Sequence, residues 1–143
     1  MWVCLPQISR SRSSFTLCLR PVVNYLPSPA GVYLRLQLFY GRKIHRSKRT
    51  GSRNGALEVD INESISFSVA GKHMESCRLE AALMLTTQRG GGMLTQDVEY
   101  GRVVIGPFMY ARGEELIHWQ EMLAQPRVAV TRWHALTANT AHE

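Results

Sequence analysis

Hydrophobic and polar positions alternate with a period of two along much of this chain. In the first such run, Val32, Leu34 and Leu36 share one face, and the run continues to Tyr40 before Gly41 ends it. A period of two is typical of a β-strand with one buried face. The same period, or a short apolar run, predicts further strands over residues 59–69, 79–85 and 100–110.

The period changes to three or four residues near the C-terminus. Leu116, Trp119 and Met122 recur at this spacing, Glu114 lies where the first turn of a helix favours negative charge, and Pro126 provides a stop. These positions predict one short amphipathic helix.

The run VAVTRWHAL follows this helix and is rich in β-branched and aromatic residues, which predicts a closing strand. Its alternation has a flaw, because Val128 and Val130 are followed on the same face by Arg132 and His134. Either the strand twists at Thr131 or both of its faces are partly covered.

One all-β domain accounts for these elements. At 143 residues the chain is long enough for one hydrophobic core. Several short strands and a single late helix predict an antiparallel β-sandwich with one short helix before the last strand. The expected division is a poorly ordered basic segment over 1–30, a domain over 31–137 and a tail over 138–143. Prolines and a Ser/Arg tract argue against strands in the first segment, although its apolar island over 15–19 is an alternative that would add one.

Positive charge is concentrated in the first part of the chain. Residues 1–57 hold ten Lys and Arg and no acid, whereas the remainder holds seven basic and eleven acidic residues. The densest group, which we call the polybasic stretch, comprises Arg42, Lys43, Arg46, Lys48, Arg49 and Arg53. Such a cluster predicts contact with an anionic partner, and on an edge strand it would also discourage edge-to-edge pairing. Nucleic acid is a disfavoured partner, because no aromatic residues alternate with these charges.

Catalytic and metal-binding motifs are missing from the sequence. There is no nucleophile elbow, no Walker loop and no H-E-x-x-H motif, so an enzyme is not expected and no catalytic or metal-binding residue is predicted. Cys4, Cys18 and Cys77 have neither zinc-site spacing nor an even count, which predicts reduced thiols inside the cell. Pro6 interrupts the N-terminal apolar run, and no run approaches the roughly 20 residues of a membrane-spanning helix.

An ordered set of motifs resembles the second C2 domain (C2B) of the synaptotagmins, and within that family the atypical, calcium-independent members such as synaptotagmin-15 and synaptotagmin-17. The motifs begin with YLRLQL, the polybasic GRKIHRSKRT and NESISFSV, and they continue through the strand over 79–85 to GRVVIGPFMYARGEELIHWQEML and WHAL. Together they extend over residues 31–136.

The resemblance implies an eight-stranded C2 sandwich that takes part in peripheral membrane binding and SNARE-related binding in vesicle traffic. It implies that acidic phospholipids and acidic protein partners meet Arg42, Lys43, Arg46, Lys48 and Arg49. It also implies a docking motif formed by Trp133, His134 and Leu136, for which packing of the tryptophan at the base of the sandwich is the competing interpretation.

Two departures from the family modify these expectations. A calcium site needs about 6–8 oxygen ligands, but the segment after Leu85 holds one aspartate, Asp97, and the segment before Val32 holds no acid. Calcium binding is therefore expected to be absent, and no other cofactor is implied. Residues 1–30 also differ from the family's first two strands, so we expect a replaced or truncated N-terminus and an incomplete sandwich with its first strands missing.

Two function hypotheses follow from these observations. The first is a calcium-independent module that binds acidic phospholipids through the polybasic stretch, attached peripherally to the plasma membrane or vesicles from the cytoplasm, in vesicle trafficking or exocytosis. The alternative is a protein-interaction module that uses the same strand and the C-terminal helix to bind a SNARE, a clathrin adaptor or another C2 domain, in a homo- or hetero-oligomer, without direct membrane binding. Nucleic-acid binding through the Arg/Ser segment is a distant third.

Overall fold

The computed structural model describes residues 2–11, 14–22, 31–52, 63–92, 94–125 and 130–138. Within these ranges it contains nine β-strands, one α-helix and a short 3-10 turn over Gly71–His73. The elements in chain order are β1 (Trp2–Ser11), β2 (Ser14–Val22), β3 (Gly31–Tyr40), β4 (Lys43–Arg49), β5 (Glu63–Ser68), β6 (Cys77–Arg89), β7 (Leu94–Ile105), α1 (Gly113–Ala124), β8 (Val130–Ala135) and β9 (Thr137–Ala138).

The strands form two sheets in which every described pair is antiparallel. The first sheet has the order β5-β2-β1-β8, and the second has the order β4-β3-β6-β7-β9. The predicted antiparallel all-β class, with one helix before the last long strand, is confirmed.

The N-terminal strands correct one expectation. β1 pairs with β8 and β2 pairs with β5, so strands that were expected to be missing lie inside the first sheet. The argument from prolines fails for a local reason. The register shifts between Cys4 and Gln7 on one side of β1 and between Leu5 and Ile8 on the other, so Pro6 lies at a bulge without a partner in either ladder. A bulge is one of the few places where a strand tolerates proline.

The apolar island over 15–19 lies in β2, which is the alternative that the sequence left open. Phe15 and Leu17 pair with Phe67 and Ile65 of β5, and both partners are buried. Pairing with a neighbouring strand can thus form a strand whose local signal is weak. Residues outside the described part of the chain include 23–30 and 139–143, and with them most of the predicted tail.

The second sheet supplies much of the hydrophobic core. The alternating residues Val32, Leu34, Leu36 and Leu38 are fully buried, and they pair with Leu85, Leu83, Ala81 and Leu79 of β6. The end of β4 is fixed at Thr50, which is also buried. Its backbone N–H donates to the Leu34 carbonyl at 2.9 Å, and its Oγ1 accepts from the Leu34 N–H at 3.0 Å.

The helix α1 packs on this core through Trp119 and Met122, which are 1% and 0% exposed. It begins at Gly113, whose φ of 62° lies in the left-handed region that glycine adopts readily, and its first turn holds Glu114 and Glu115. The helix predicted from the three-to-four spacing is confirmed. Among the described helices, none is both long and apolar enough to cross a bilayer.

The hairpin of β6 and β7 differs from its predicted bounds. The segment after Leu85, expected to be a long loop, is mostly paired strand, because β6 extends to Arg89 and β7 begins at Leu94. Polar side chains occupy both faces there, so the pattern gives no alternation to detect. The predicted strand over 100–110 correspondingly ends at Ile105, and residues 106–112 form a loop that leads into α1.

Candidate functional site

β4 is an edge strand of the second sheet and carries most of the polybasic stretch, as the charge pattern predicted. Among the described strands it pairs only with β3, and six of its seven residues are exposed. The register shifts between Leu38 and Phe39, which leaves His45 unpaired in the ladder. Arg46 lies opposite the buried Leu38, so its side chain extends from the core side of the sheet at the open edge.

Two cations of β4 are engaged within the domain. The Lys48 ammonium donates to the carbonyl of Ser66 and lies 5.2 Å from the centroid of the Phe67 ring, so it bridges the two sheets. The Arg49 guanidinium lies 3.7 Å from the centroid of the Tyr33 ring and donates to a serine hydroxyl at 3.1 Å. Both side chains therefore stabilise the edge of the sandwich.

Three other cations form a surface that we call the basic rim, which consists of Arg42, Lys43 and Arg46. All three are exposed, and within the described part of the chain they have no ion-pair or hydrogen-bond partner. The turn before β4 is made by Gly41, whose φ is 59°. The sixth predicted residue, Arg53, lies outside the described residues. A cation without an internal partner keeps its charge available to an incoming anion.

The outer face of the second sheet carries an ion-pair network that the sequence did not predict. Glu99 pairs with Arg35 at 3.0 Å and with Arg102 at 2.8 Å. Glu80 pairs with Arg78 at 3.3 Å and with Arg102 at 3.5 Å. The two glutamate side chains are only 9% and 14% exposed, and they hold three arginines between them. The broad face of the sheet is therefore largely neutralised, in contrast to the basic rim.

Aromatic side chains lie beside the basic rim, although none alternates with the charges in sequence. The Tyr40 ring stacks between His45 and His73, with centroid distances of 4.2 and 4.6 Å. The Arg78 guanidinium lies 4.2 Å from the centroid of the Phe39 ring. The sequence did not predict these contacts because His73 and Arg78 come from elements distant along the chain.

The predicted docking motif does not form one surface. Trp133 is 49% exposed on β8, His134 is buried, and Leu136 packs against the hydrophobic core. The exposure of Trp133 argues against the interpretation that it packs at the base of the sandwich. Only this one side chain of the motif is presented to a partner.

His134 instead forms a buried hydrogen-bonded pair with His118 of α1, which we call the histidine pair. The His118 Nδ1 and His134 Nε2 atoms are 2.7 Å apart, and the His118 Nε2 lies 2.9 Å from the Val130 carbonyl oxygen. Because a carbonyl only accepts, the His118 Nε2 carries a hydrogen, and its Nδ1 accepts from the His134 Nε2–H. This series of hydrogen bonds leaves the His134 Nδ1 without a partner, since the nearest Glu115 carboxylate oxygen is 3.8 Å away.

Burial keeps the histidine pair neutral. Burial and the neighbouring His118 lower the pKa of His134 to about 4. Burial also lowers the pKa of His118, although the hydrogen bond to Val130 opposes this effect. The contact between His134 and Glu115 is therefore not an ion pair at neutral pH. Since His118 belongs to H-W-x-E-M-L and His134 to W-H-x-L, two motifs that carry the family resemblance meet in this pair.

Arg132 lies on the same face of β8 and is also bound by the helix. Its guanidinium donates to both carboxylate oxygens of Glu121, at 2.7 and 3.0 Å, and to Glu114. These bonds raise the pKa of Arg132, and the arginine lowers the pKa of Glu121. The cation of β8 is therefore part of the helix–strand contact rather than of an open binding surface.

Asp97, the one aspartate of the two segments compared with the family's calcium loops, is engaged in hydrogen bonds. It accepts from the Tyr33 hydroxyl at 2.8 Å and from the Thr86 hydroxyl at 3.0 Å. In the ranges that the structure describes, no three His, Cys, Asp or Glu side chains lie close enough together to hold a metal ion. The other segment that corresponds to a calcium loop of the family, YLPSPAG over 25–31, lies outside these ranges except for Gly31.

Comparison with known proteins gives relatives by sequence, although no protein-family model matches the chain. The chain is 32% identical to synaptotagmin-8 from Rattus norvegicus over 110 residues, which are 77% of this chain and 26% of that protein. It is 31% identical to synaptotagmin-5 from Homo sapiens over 104 residues, which are 73% of this chain and 25% of that protein. The chain thus spans about a quarter of the length of these relatives.

Comparison with solved structures gives relatives by fold. The chain is similar to a C2 domain of RIM from Drosophila, with a TM-score of 0.67 and 15% sequence identity. The alignment covers 95% of this chain and 97% of that chain. At this identity, the likeness concerns the fold alone.

Proposed function

Because the chain is a C2 domain related to those of the synaptotagmins, we propose that it binds acidic phospholipid surfaces through the basic rim. The observation that supports this is the contrast among its cations. The three of the rim are exposed and without an internal partner in the described part of the chain, whereas Lys48 and Arg49 are engaged at the sandwich edge. A lipid phosphate that approaches the rim meets charges that carry no ion pair to a carboxylate in the ranges the structure describes.

The proposal includes calcium independence and a peripheral place on the cytoplasmic side of the plasma membrane or vesicles, in vesicle trafficking or exocytosis. It also includes the narrower assignment to the second C2 domain of an atypical synaptotagmin, such as synaptotagmin-15 or synaptotagmin-17. The hydrogen bonds that occupy Asp97 support calcium independence, as does the lack of acidic residues over 25–31. Isothermal titration should give no calcium heat, and vesicle binding should be equal in calcium and in chelator.

Flotation with liposomes tests the rim directly. Each Lys or Arg near an anionic leaflet contributes about 1 kcal/mol. The triple variant Arg42→Ala/Lys43→Ala/Arg46→Ala is therefore expected to bind vesicles containing phosphatidylserine about 100-fold more weakly, in chelator and at low salt. Binding of the unaltered chain should also weaken as salt rises.

The matched control keeps the charges and changes the side chains, in Arg42→Lys/Lys43→Arg/Arg46→Lys. This variant should float almost as the unaltered chain does, because the attraction is electrostatic. Equal flotation of the alanine variant and the unaltered chain would remove the rim from the proposal. A complete lack of flotation of the unaltered chain on acidic vesicles would remove the membrane function itself.

A second candidate function rests on the exposure of Trp133. A large aromatic side chain that is 49% exposed on a strand is typical of protein-interaction surfaces. This supports the alternative of a module that binds a SNARE, a clathrin adaptor or another C2 domain without direct membrane binding. In that case the unaltered chain should capture the partner without floating on acidic liposomes, and Trp133→Ala should abolish that capture.

A further inference from the structure

The loop over 106–112 exposes two adjacent apolar side chains at the end of the sandwich. Phe108 and Met109 are 64% and 72% exposed. Single exposed apolar residues are common on protein surfaces, but two neighbours at one loop tip form a small patch. Such a patch costs free energy in water unless something covers it.

Hydrogen bonds hold this loop in one shape. The N–H groups of Tyr110 and Ala111 both donate to the Pro107 carbonyl, at 2.8 and 3.0 Å. The Arg112 guanidinium donates to the carbonyls of Phe108 and Ala111, and it lies 3.6 Å from the centroid of the Phe108 ring. The two apolar side chains are therefore presented from an ordered turn, which reduces the entropy lost when they bind.

The loop lies at the same end of the sandwich as the basic rim. Arg78 connects them, because its guanidinium lies 4.9 Å from the centroid of the Tyr110 ring and donates to the carbonyl of Gly41. A Cβ added at Gly106 would lie 3.1 Å from the Arg78 Cβ, so the start of the loop packs closely on the same arginine.

The charges in the loop over 106–112 and in the turn that begins the basic rim all have one sign. Residues 41–46 and 106–112 together contain Arg42, Lys43, Arg46 and Arg112, and they contain no acid. An apolar tip at the same end as several cations matches the chemistry of an anionic bilayer, in which lipid phosphates lie above the acyl chains. An apolar protein surface would not offset these charges.

We propose that Phe108 and Met109 insert into the interface of an anionic bilayer while the basic rim and Arg112 contact its phosphates. This inference rests on the proposed membrane function and specifies the orientation of the domain, with the 106–112 end toward the lipid. Binding then has an apolar component that salt does not screen, in addition to the electrostatic one.

Fluorescence quenching by brominated lipids tests the insertion. Phe108→Trp is compared with the unaltered chain and with Gln120→Trp, which places a tryptophan at an exposed position on α1. On phosphatidylserine vesicles with brominated acyl chains, Phe108→Trp should show more quenching than the unaltered chain, whereas Gln120→Trp should not. If Phe108→Trp floats with the vesicles but gains no quenching, the insertion is refuted and the proposed function stands.

A double serine variant measures how much the two apolar side chains contribute to the affinity for acidic vesicles. Phe108→Ser/Met109→Ser should bind acidic vesicles about tenfold more weakly and should lose the binding that persists at high salt. Its thermal unfolding should match that of the unaltered chain, because both side chains are exposed. If the variant instead floats normally but no longer self-associates in sedimentation, whereas the unaltered chain does, the patch is an interface between two copies and the proposal is wrong. Failure of the unaltered chain to float would reject the membrane function and this inference together.

Discussion

β8 and β4 both carry arginines, but the fold uses these arginines differently. In β8, Arg132 donates to Glu121 and Glu114 of the helix, and the neighbouring His134 is hydrogen-bonded to His118. In β4, Arg46 has no ion-pair or hydrogen-bond partner among the described residues. A cation becomes a candidate for binding only after its internal partners are known, because a carboxylate that is already paired with it offsets its charge toward an incoming anion.

The two strands should respond differently to substitution. Changes at the contact between α1 and β8 should alter the free energy of unfolding and leave vesicle binding intact. Changes at the basic rim should alter vesicle binding and leave the free energy of unfolding almost unchanged. The outer face of the second sheet lies between these cases, because its arginines face solvent but are held by glutamates.

The largest effect on stability is expected from acid, through the histidine pair. In the unfolded chain His134 has its ordinary pKa of 6.5, whereas in the folded chain its pKa is about 4. Between these values the unfolded chain binds more protons, so stability falls as pH decreases through this window. Because one pKa unit corresponds to about 1.4 kcal/mol, the free energy of unfolding should fall by on the order of 3 kcal/mol.

Urea unfolding at pH 7.5, 6 and 5 measures the upper part of this decrease, about 2 kcal/mol by pH 5. The charged groups around the pair are Glu114, Glu115, Glu121 and Arg132. The lowered pKa of Glu121 affects stability only as pH falls below its ordinary value of 4.5, so the change above that pH reports the histidines. The control His134→Gln retains a hydrogen-bond donor and cannot be protonated, and it should flatten the profile. Stability that is constant or rises from pH 7.5 to 5 would contradict the prediction.

The sequence predicted the elements whose signal is local. The alternation in β3 and the helical spacing in α1 both correspond to buried faces, so hydrophobic pattern alone was sufficient. The flaw in β8 now has a physical explanation. Arg132 and His134 share the face that α1 covers, and the helix provides carboxylates and an imidazole as partners. One face of a strand can thus be buried without being apolar, which period-two analysis does not recognise.

Features that depend on distant residues were not predictable in this way. Pro6 argued against β1 because its position at a bulge is visible only from two neighbouring ladders. The engagement of Arg35 by Glu99 joins residues 64 positions apart, and the bridge from Lys48 to Ser66 crosses between sheets. The cationic strand could therefore be located from the sequence. Which of its Lys and Arg side chains are available to an external anion could not, because that depends on contacts made in the folded state.

An intermediate effect is expected where β4 is fixed to the core. Thr50 is 1% exposed, and its hydroxyl accepts from the Leu34 N–H. Thr50→Val removes this acceptor without much change in volume and leaves a buried N–H unsatisfied, which should cost about 1–3 kcal/mol of stability. Urea unfolding at neutral pH measures the loss, and Thr50→Ser, which keeps the hydroxyl, is the control. Equal losses in the two variants would show that the methyl group, not the hydrogen bond, holds this end of the strand.

The smallest effect, and the sharpest test of the comparison, comes from releasing arginines that are now held. Glu99→Gln removes the carboxylate that binds Arg35 and one of the two that bind Arg102. The Arg35 guanidinium then becomes available to an anionic surface, and Arg102 is held by Glu80 alone. A cation near an anionic leaflet contributes about 1 kcal/mol, of which a released arginine should gain a part. The variant should therefore bind acidic vesicles several-fold more tightly than the unaltered chain. The matched control Glu75→Gln changes the net charge equally at an exposed acid that holds neither arginine. If both variants strengthen flotation equally, net charge alone governs binding, and the distinction between engaged and available cations has no functional weight.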